Sequence, residues 1–279
     1  MNLTAYKMQE RKVLSHEDLM KSAPSIFAEK PQDGVSDKYS FVPTIQVIEQ
    51  IENQGWKVVN AREQRVNNLE RKGYQKHIIK FQRDDLMVEG LCPEIVLTNS
   101  HDRTSVFCFA AGLYRLVCSN GLIAFDPMFG QMKIKHIGYN NSHVKNITNQ
   151  IVDQVPKVLS KVEELKNMEL SHQEQIAFSI SAAMEKWKVE QNQLPFDAER
   201  LLISRRSVDN QNTLWHTYNR VQENLMRGGV RYFSNDKEGR MSRKTTRAIT
   251  SINEDVRVNK ALWTLADNMR KIKNGETIG

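Results

Sequence analysis

At 279 residues, with 39% hydrophobic and 26% charged side chains, the chain has globular proportions and enough length to bury a full core, which excludes a disordered tract. No apolar run reaches the roughly 18 residues of a membrane span, and the first residues lack the apolar centre of a secretory signal. Three cysteines without a CxxC pair (Cys92, Cys108, Cys118) argue against a disulfide framework and for a cytoplasmic protein, and a net charge of +7 gives non-specific attraction to nucleic acid or an anionic membrane.

Residues 1 to about 40 mix charge with Ser22, Pro24, Pro31, Gly34 and Ser36 and hold no period, so they read as a polar arm with one short helical stretch near Glu17 to Lys21. From Thr44 to Asn53 the residues Ile45, Val47, Ile48 and Ile51 fall on one helical stripe that Gly55 stops. The period then becomes extended. Trp56, Val58 and Ala61 begin a strand, and His77 to Phe81 reads as its antiparallel return after Gly73-Tyr74.

Two more strands, Glu94 to Thr98 and Ser105 to Phe109, flank the turn-rich Asn99-Ser100-His101-Asp102. Ala110 to Cys118 fits strand or helix, and Ser119-Asn120-Gly121 marks a turn before Leu122 to Phe125. Gln131 to Ile137 alternates as a last strand.

Beyond residue 143 the pattern turns helical: Ile147, Ile151, Val155, Val158, Val162 and Leu165 recur every three or four residues, with a kink or restart expected at Pro156. Ser171-His172-Gln173-Glu174 has the spacing of a capping box, so a second helix starts there and ends at Leu194-Pro195. A third carries Leu214, Tyr218, Val221 and Leu225 up to Gly228-Gly229; Trp215-His216 on it reads as core packing. A fourth runs from about Asn253 to Ile272. The expected fold is α+β: a polar N-terminal arm (1–40), a mostly antiparallel sheet domain with a short helix (41–143), and a C-terminal helical region (144–279) holding a basic loop at 227–247.

The charge excess is local. Between Arg205 and Arg247 ten cations, eight of them arginine, face Asp209, Glu223, Asp236 and Glu238, a balance of +6. Arginine pairs bidentately with phosphate and stacks on bases. Arg227, Arg231, Arg240, Arg243, Lys244 and Arg247 are therefore the candidate phosphate contacts, with Tyr232 and Phe233 as candidate base-stacking rings beside a Gly-Gly backbone taken as flexible. A solvated loop anchored to the core by the same two rings is the structural alternative.

Catalytic chemistry has one weaker candidate. His101 and Asp102 in the turn after the third strand, with His136 or His143 nearby in sequence, could form a general base or part of a metal site. Asn, Ser and Asp are also ordinary turn formers. No zinc-finger spacing, Walker loop or RNA-recognition consensus appears, so no cofactor or metal is assigned.

The strings Leu97-Thr98-Asn99-Ser100-His101-Asp102, Gly112 to Leu122 (GLYRLVCSNGL) and Ile134-Lys135-His136 resemble the signature of a family of phage- and plasmid-encoded proteins of unknown function; Asn212 to Trp215 with Tyr218-Asn219 is similar to its later block. The resemblance spans about residues 40 to 225. It implies a mobile-element context and no reaction. The family's usual glycine after His-Asp is Arg103 here. The order of elements is also loosely similar to phage single-strand annealing proteins, at the level of fold alone.

The resulting expectation is a DNA-binding accessory protein of a phage or plasmid that holds single-stranded DNA during replication or recombination. The alternatives are a metal- or His/Asp-dependent nuclease or other hydrolase, and an interaction protein that neutralises a host factor. Self-association and a host or phage replication protein are the protein partners this reading allows.

Overall fold

The structure, a computed structural model, describes residues 11–34, 41–105, 107–115, 121–122, 132–133, 141–235 and 240–278. The chain divides into two compact units, Met1–Val155 and Pro156–Gly279. An antiparallel sheet with short helices occupies the first and helices dominate the second, so the fold is α+β. Among the described residues no helix is long and apolar enough to cross a membrane.

In the first unit, helix α1 (His16–Ser22) starts at a capping box in which the Ser15 hydroxyl accepts the Asp18 N–H and the Asp18 carboxylate accepts the Ser15 N–H. Helix α2 (Thr44–Glu52) follows, close to the expected span. Strands β1 (Lys57–Glu63), β2 (His77–Gln82), β3 (Leu91–Asn99), β4 (Cys108–Arg115) and β5 (Gly121–Leu122) form an antiparallel meander, and β6 (Met132–Lys133) pairs with the other end of β4. The register sets Ile79 opposite both Ala61 and Leu97, and Leu97 opposite Phe109. With a period of two, these residues share one face of the sheet. Leu19, Val47, Ile48 and Ile51 from the helices complete the core on that face, each fully buried apolar side chain contributing about 1.5–3 kcal/mol.

The ambiguous Ala110 to Arg115 is strand. Gly112 marks where it approaches β3 closely, because a Cβ there would lie 2.9 Å from Val96 Cγ2. The turn at Ser119-Asn120, the remainder of Leu122 to Phe125, and Ile134 to Ile137 with His136 fall outside the described residues.

Helix α3 (Asn141–Asn167) runs through Pro156 without the expected restart. An internal proline costs about 3 kcal/mol. Burial offsets it on both sides: Val144 and Ile151 lie in the core of the first unit, Val158, Val162 and Leu165 are buried in the second, and Pro156 marks the boundary.

In the second unit, α4 (His172–Trp187) begins at the Ser171/Glu174 capping box that the spacing predicts. It ends at Trp187, earlier than Leu194-Pro195, because Lys188 turns left-handed at φ 55° and short 3-10 turns follow. Helices α5 (Leu214–Arg227) and α6 (Ile252–Lys273) match the expected third and fourth helices. Phe178 of α4, Trp215 and Tyr218 of α5 and Trp263 of α6 form an aromatic core with ring centroids 6.0–6.4 Å apart. Polar side chains buried on α5 have partners: Arg220 donates to Gln175 Oε1 (2.7 Å) and the Asp209 carbonyl (3.1 Å), and Gln222 to Asn259 (2.8 Å).

The segment read as a flexible basic loop is a β-hairpin of β7 (Arg231–Asn235) and β8 (Met241–Thr245). A ribbon of two strands buries little on either face, so it carries none of the apolar alternation by which a strand is recognised.

Candidate nucleic-acid interface

The hairpin is fixed to the end of α5 by its backbone. Gly229 N donates to the Thr246 carbonyl at 2.8 Å, Thr246 N to Val230 O at 2.9 Å, and Ile249 N to Met226 O at 2.9 Å. Gly228 caps α5 with φ 64° and ψ −149°, a conformation only glycine adopts readily, and the chain at 246–248 passes directly against it. The Gly-Gly pair is therefore a site of close backbone approach, not of flexibility.

The register pairs Arg231 with Thr245, Tyr232 with Lys244, Phe233 with Arg243 and Ser234 with Ser242. Alternation separates two faces. On one, Lys244 Nζ donates to Ser234 Oγ (3.3 Å) and Tyr232 lies 5.5 Å, centroid to centroid, from Phe196, which in turn meets Trp187 edge-on at 5.2 Å. Tyr232 anchors the ribbon. The other face carries Arg231, Phe233, Met241, Arg243 and Thr245, with Phe233 63% and Met241 72% exposed. Both candidate rings were read as stacking groups; the structure turns only Phe233 to solvent.

Arg240, at the entry to β8, and Arg247, after it, are also exposed. Among the described residues no carboxylate lies within ion-pair distance of Arg231, Arg243 or Arg247. Asp236 and Glu238, in the segment 236–239 between the strands, lie outside the described residues. Elsewhere in the basic segment the cations are structural. Arg205 donates to Asn224 Oδ1 (2.8 Å) and to the Gly228 carbonyl, Arg220 is buried, and Arg206 and Arg227 share the buried Glu223 carboxylate, Arg227 at 3.3 Å. Phe196, Trp187 and Met241 were missed in the sequence: the first two lie outside the basic segment, and nothing local marks a methionine as exposed.

The turn at His101 and Asp102 is built differently from a catalytic pair. Both Asp102 oxygens are engaged by other groups: Oδ2 accepts Arg71 Nε and Nη2 at 2.9 and 2.7 Å, and Oδ1 accepts the Thr104 N–H and hydroxyl at 3.1 and 2.5 Å. Burial pushes its pKa up, but hydrogen bonds from Thr104, Arg71 and Ser100 outweigh it and hold the carboxyl below its ordinary range. His101 is wholly buried, 4.9 Å from the Phe41 ring and 5.3 Å from that of His77. Thr44 Oγ1 lies 3.0 Å from His77 Nε2, 3.2 Å from His101 Nε2 and 2.9 Å from Asn99 Nδ2.

The protons follow from the donor inventory. His77 Nδ1 lies 3.0 Å from Ser25 Oγ and 3.2 Å from the Gln75 carbonyl; that carbonyl only accepts, so a proton on Nδ1 satisfies it and leaves Nε2 to accept from the Thr44 hydroxyl. Thr44 then accepts from Asn99 and from His101 Nε2–H. Burial, reinforced by the nearby His101, lowers the His77 pKa from 6.5 to about 3, which keeps the ring neutral. This network joins α2, β2 and the end of β3. Among the described residues no three His, Cys, Asp or Glu side chains are grouped to hold a metal ion.

Arg103, where glycine is the expected residue, adopts φ 63° at the exposed tip of this turn. Left-handed geometry costs a non-glycine residue about 1–2 kcal/mol, and glycine's extra chain entropy returns about half of that. Arg103→Gly is accordingly expected to raise stability by up to about 1 kcal/mol, measured as a higher urea midpoint at unchanged m. A lower midpoint would show that the Arg103 side chain makes a compensating contact.

A family model described as "Domain of unknown function (DUF932)" matches residues 32–263. Two proteins of Escherichia coli (strain K12) are similar along nearly the whole chain. "UPF0380 protein YfjQ" is 30% identical over 256 residues, covering 92% of this chain and 91% of its own, and "UPF0380 protein YafZ" is 31% identical over 254 residues, covering 91% and 90%. No solved structure matches.

Proposed function

The chain belongs to the DUF932 family, and from that premise we propose that it binds DNA, single strands in preference to duplex, as an accessory to the replication or recombination of mobile elements. The mobile-element setting rests on the resemblance of the Leu97 to Asp102 and Gly112 to Leu122 strings to phage and plasmid proteins. The DNA reading rests on one observation: the β7–β8 hairpin presents Arg231, Arg243 and Arg247 to solvent without a carboxylate partner among the described residues, with Arg240 beside them and Lys244 on the opposite face. Exposed guanidiniums on a fixed backbone suit phosphate, and the affinity they give comes largely from counterion release.

Four phosphate contacts on a single strand, from Arg231, Arg240, Arg243 and Arg247, imply a slope of about −2.8 in log K against log salt, or roughly a fiftyfold loss between 50 and 200 mM. A fluorescence-anisotropy titration against a labelled 30-mer at several salt concentrations measures it. Arg243→Gln combined with Arg247→Gln should lower the slope magnitude by about 1.4. No binding to any oligonucleotide at low salt would remove the proposal.

A further inference from the structure

We infer that Phe233, seconded by Met241, is the base-stacking element of this interface and sets its preference for unpaired bases; this inference rests on the DNA-binding reading. The two faces of the hairpin differ in kind. Tyr232 is committed to Phe196 and, through it, to Trp187, whereas Phe233 projects from the opposite face and keeps 63% of its surface in water. Met241, 72% exposed, stands on that same face, diagonal to Phe233 across the two strands.

Large apolar side chains left in water on a polar ribbon lower no folding free energy there, so their surface is available to a ligand. Diagonal cross-strand neighbours stand about 7 Å apart. That is about twice a 3.5–4.0 Å van der Waals contact, room for one flat ring between the two side chains. Arg243 lies directly opposite Phe233 and Arg231 two residues along the same strand, so a base held there has its phosphates beside guanidiniums. In a duplex each base face is covered by its neighbours, so the cations can serve both forms of DNA while the Phe233/Met241 pair serves unpaired bases alone. Recognition through π-faces is tolerant of sequence.

The test separates the two contributions. Phe233→Ala, an exposed position whose truncation leaves the Tyr232 anchor in place, is titrated with a single-stranded 30-mer, with the same strand built from abasic sites, and with the duplex. Single-strand affinity is expected to fall about tenfold while duplex affinity changes by less than twofold and the salt slope stays as in wild type; wild type should bind the abasic strand as weakly as the variant binds the normal one. Phe233→Trp should retain single-strand affinity, and its indole emission should be quenched on binding. Equal losses on single strand and duplex, or no loss on either, would overturn the stacking assignment while leaving DNA binding in place. Failure of wild type to bind any of the three ligands would remove the parent reading instead.

Discussion

Lowering the pH from 6.5 to 4.5 is expected to cost the N-terminal unit about 2 kcal/mol through His77 alone. The folded ring, with its pKa near 3, stays neutral over this range because burial and the neighbouring His101 oppose its charging. In the unfolded chain the same ring titrates near 6.5, so below that pH the unfolded state binds one more proton than the native state. Stability from this group is fully present above pH 6.5 and declines by about 1.4 kcal/mol per pH unit until pH 3, where the native ring also protonates. Urea titrations of wild type and His77→Gln at half-unit steps from pH 7.5 to 4.5 measure it. The variant is less stable at neutral pH, because Thr44, Ser25 and Gln75 lose a common partner, but its pH slope should be shallower by one proton. Parallel slopes for the two proteins would refute the buried neutral ring.

The same network shows what the sequence could and could not reveal. Helix stripes, capping boxes and strand alternation are local signals, and they placed α1, α2, β1 to β3 and the starts of α3 to α6 within a few residues, whereas β4 runs Cys108–Arg115 and overlaps the expected Ser105 to Phe109 only at its first two residues. The meaning of His101 and Asp102 is not local. Thr44 lies 57 residues before His101 and Arg71 lies 31 before Asp102, and only the fold brings them together to divide the pair between a buried hydrogen-bond network and an ion pair. A turn that offered a base and a carboxylate in sequence thus holds two groups with different structural partners.

The basic segment shows the converse. Its charge was legible, but charge does not state its duty: Arg205, Arg206 and Arg220 stabilise the second unit, Arg227 is held by Glu223, and Arg231, Arg243 and Arg247 face water. The division follows from α5, whose nearly complete burial draws adjacent cations inward to its polar groups, while cations on a two-stranded ribbon have no interior to enter.

Because the proposed interface depends on that ribbon, its foot is the most sensitive position in the second unit. Gly228→Ala is expected to destabilise the protein by about 3 kcal/mol or more and to lower single-strand DNA affinity at least tenfold. A Cβ at Gly228 would lie 2.5 Å from the Arg247 carbonyl carbon, 2.6 Å from Ala248 N and 2.6 Å from Thr246 O, all backbone atoms that cannot rotate aside. The φ of 64° with ψ −149° adds the strain of a conformation nearly exclusive to glycine, about 1–3 kcal/mol by itself. Relief requires residues 246–248 to move away, which breaks the Gly229–Thr246 and Thr246–Val230 bonds and leaves the hairpin held by Tyr232 on Phe196, by Arg200 on the Arg231 carbonyl and by the Ile249–Met226 bond. Gly275→Ala is the control: φ is 71° there, but the space around it is open, so only the left-handed cost of about 1 kcal/mol is expected and DNA affinity is retained. Urea midpoints, helical circular dichroism and the anisotropy titration together decide the matter. Helicity retained with binding lost places the damage in the hairpin, whereas equal midpoints for the two variants would show that the chain at 246–248 does not rest against Gly228.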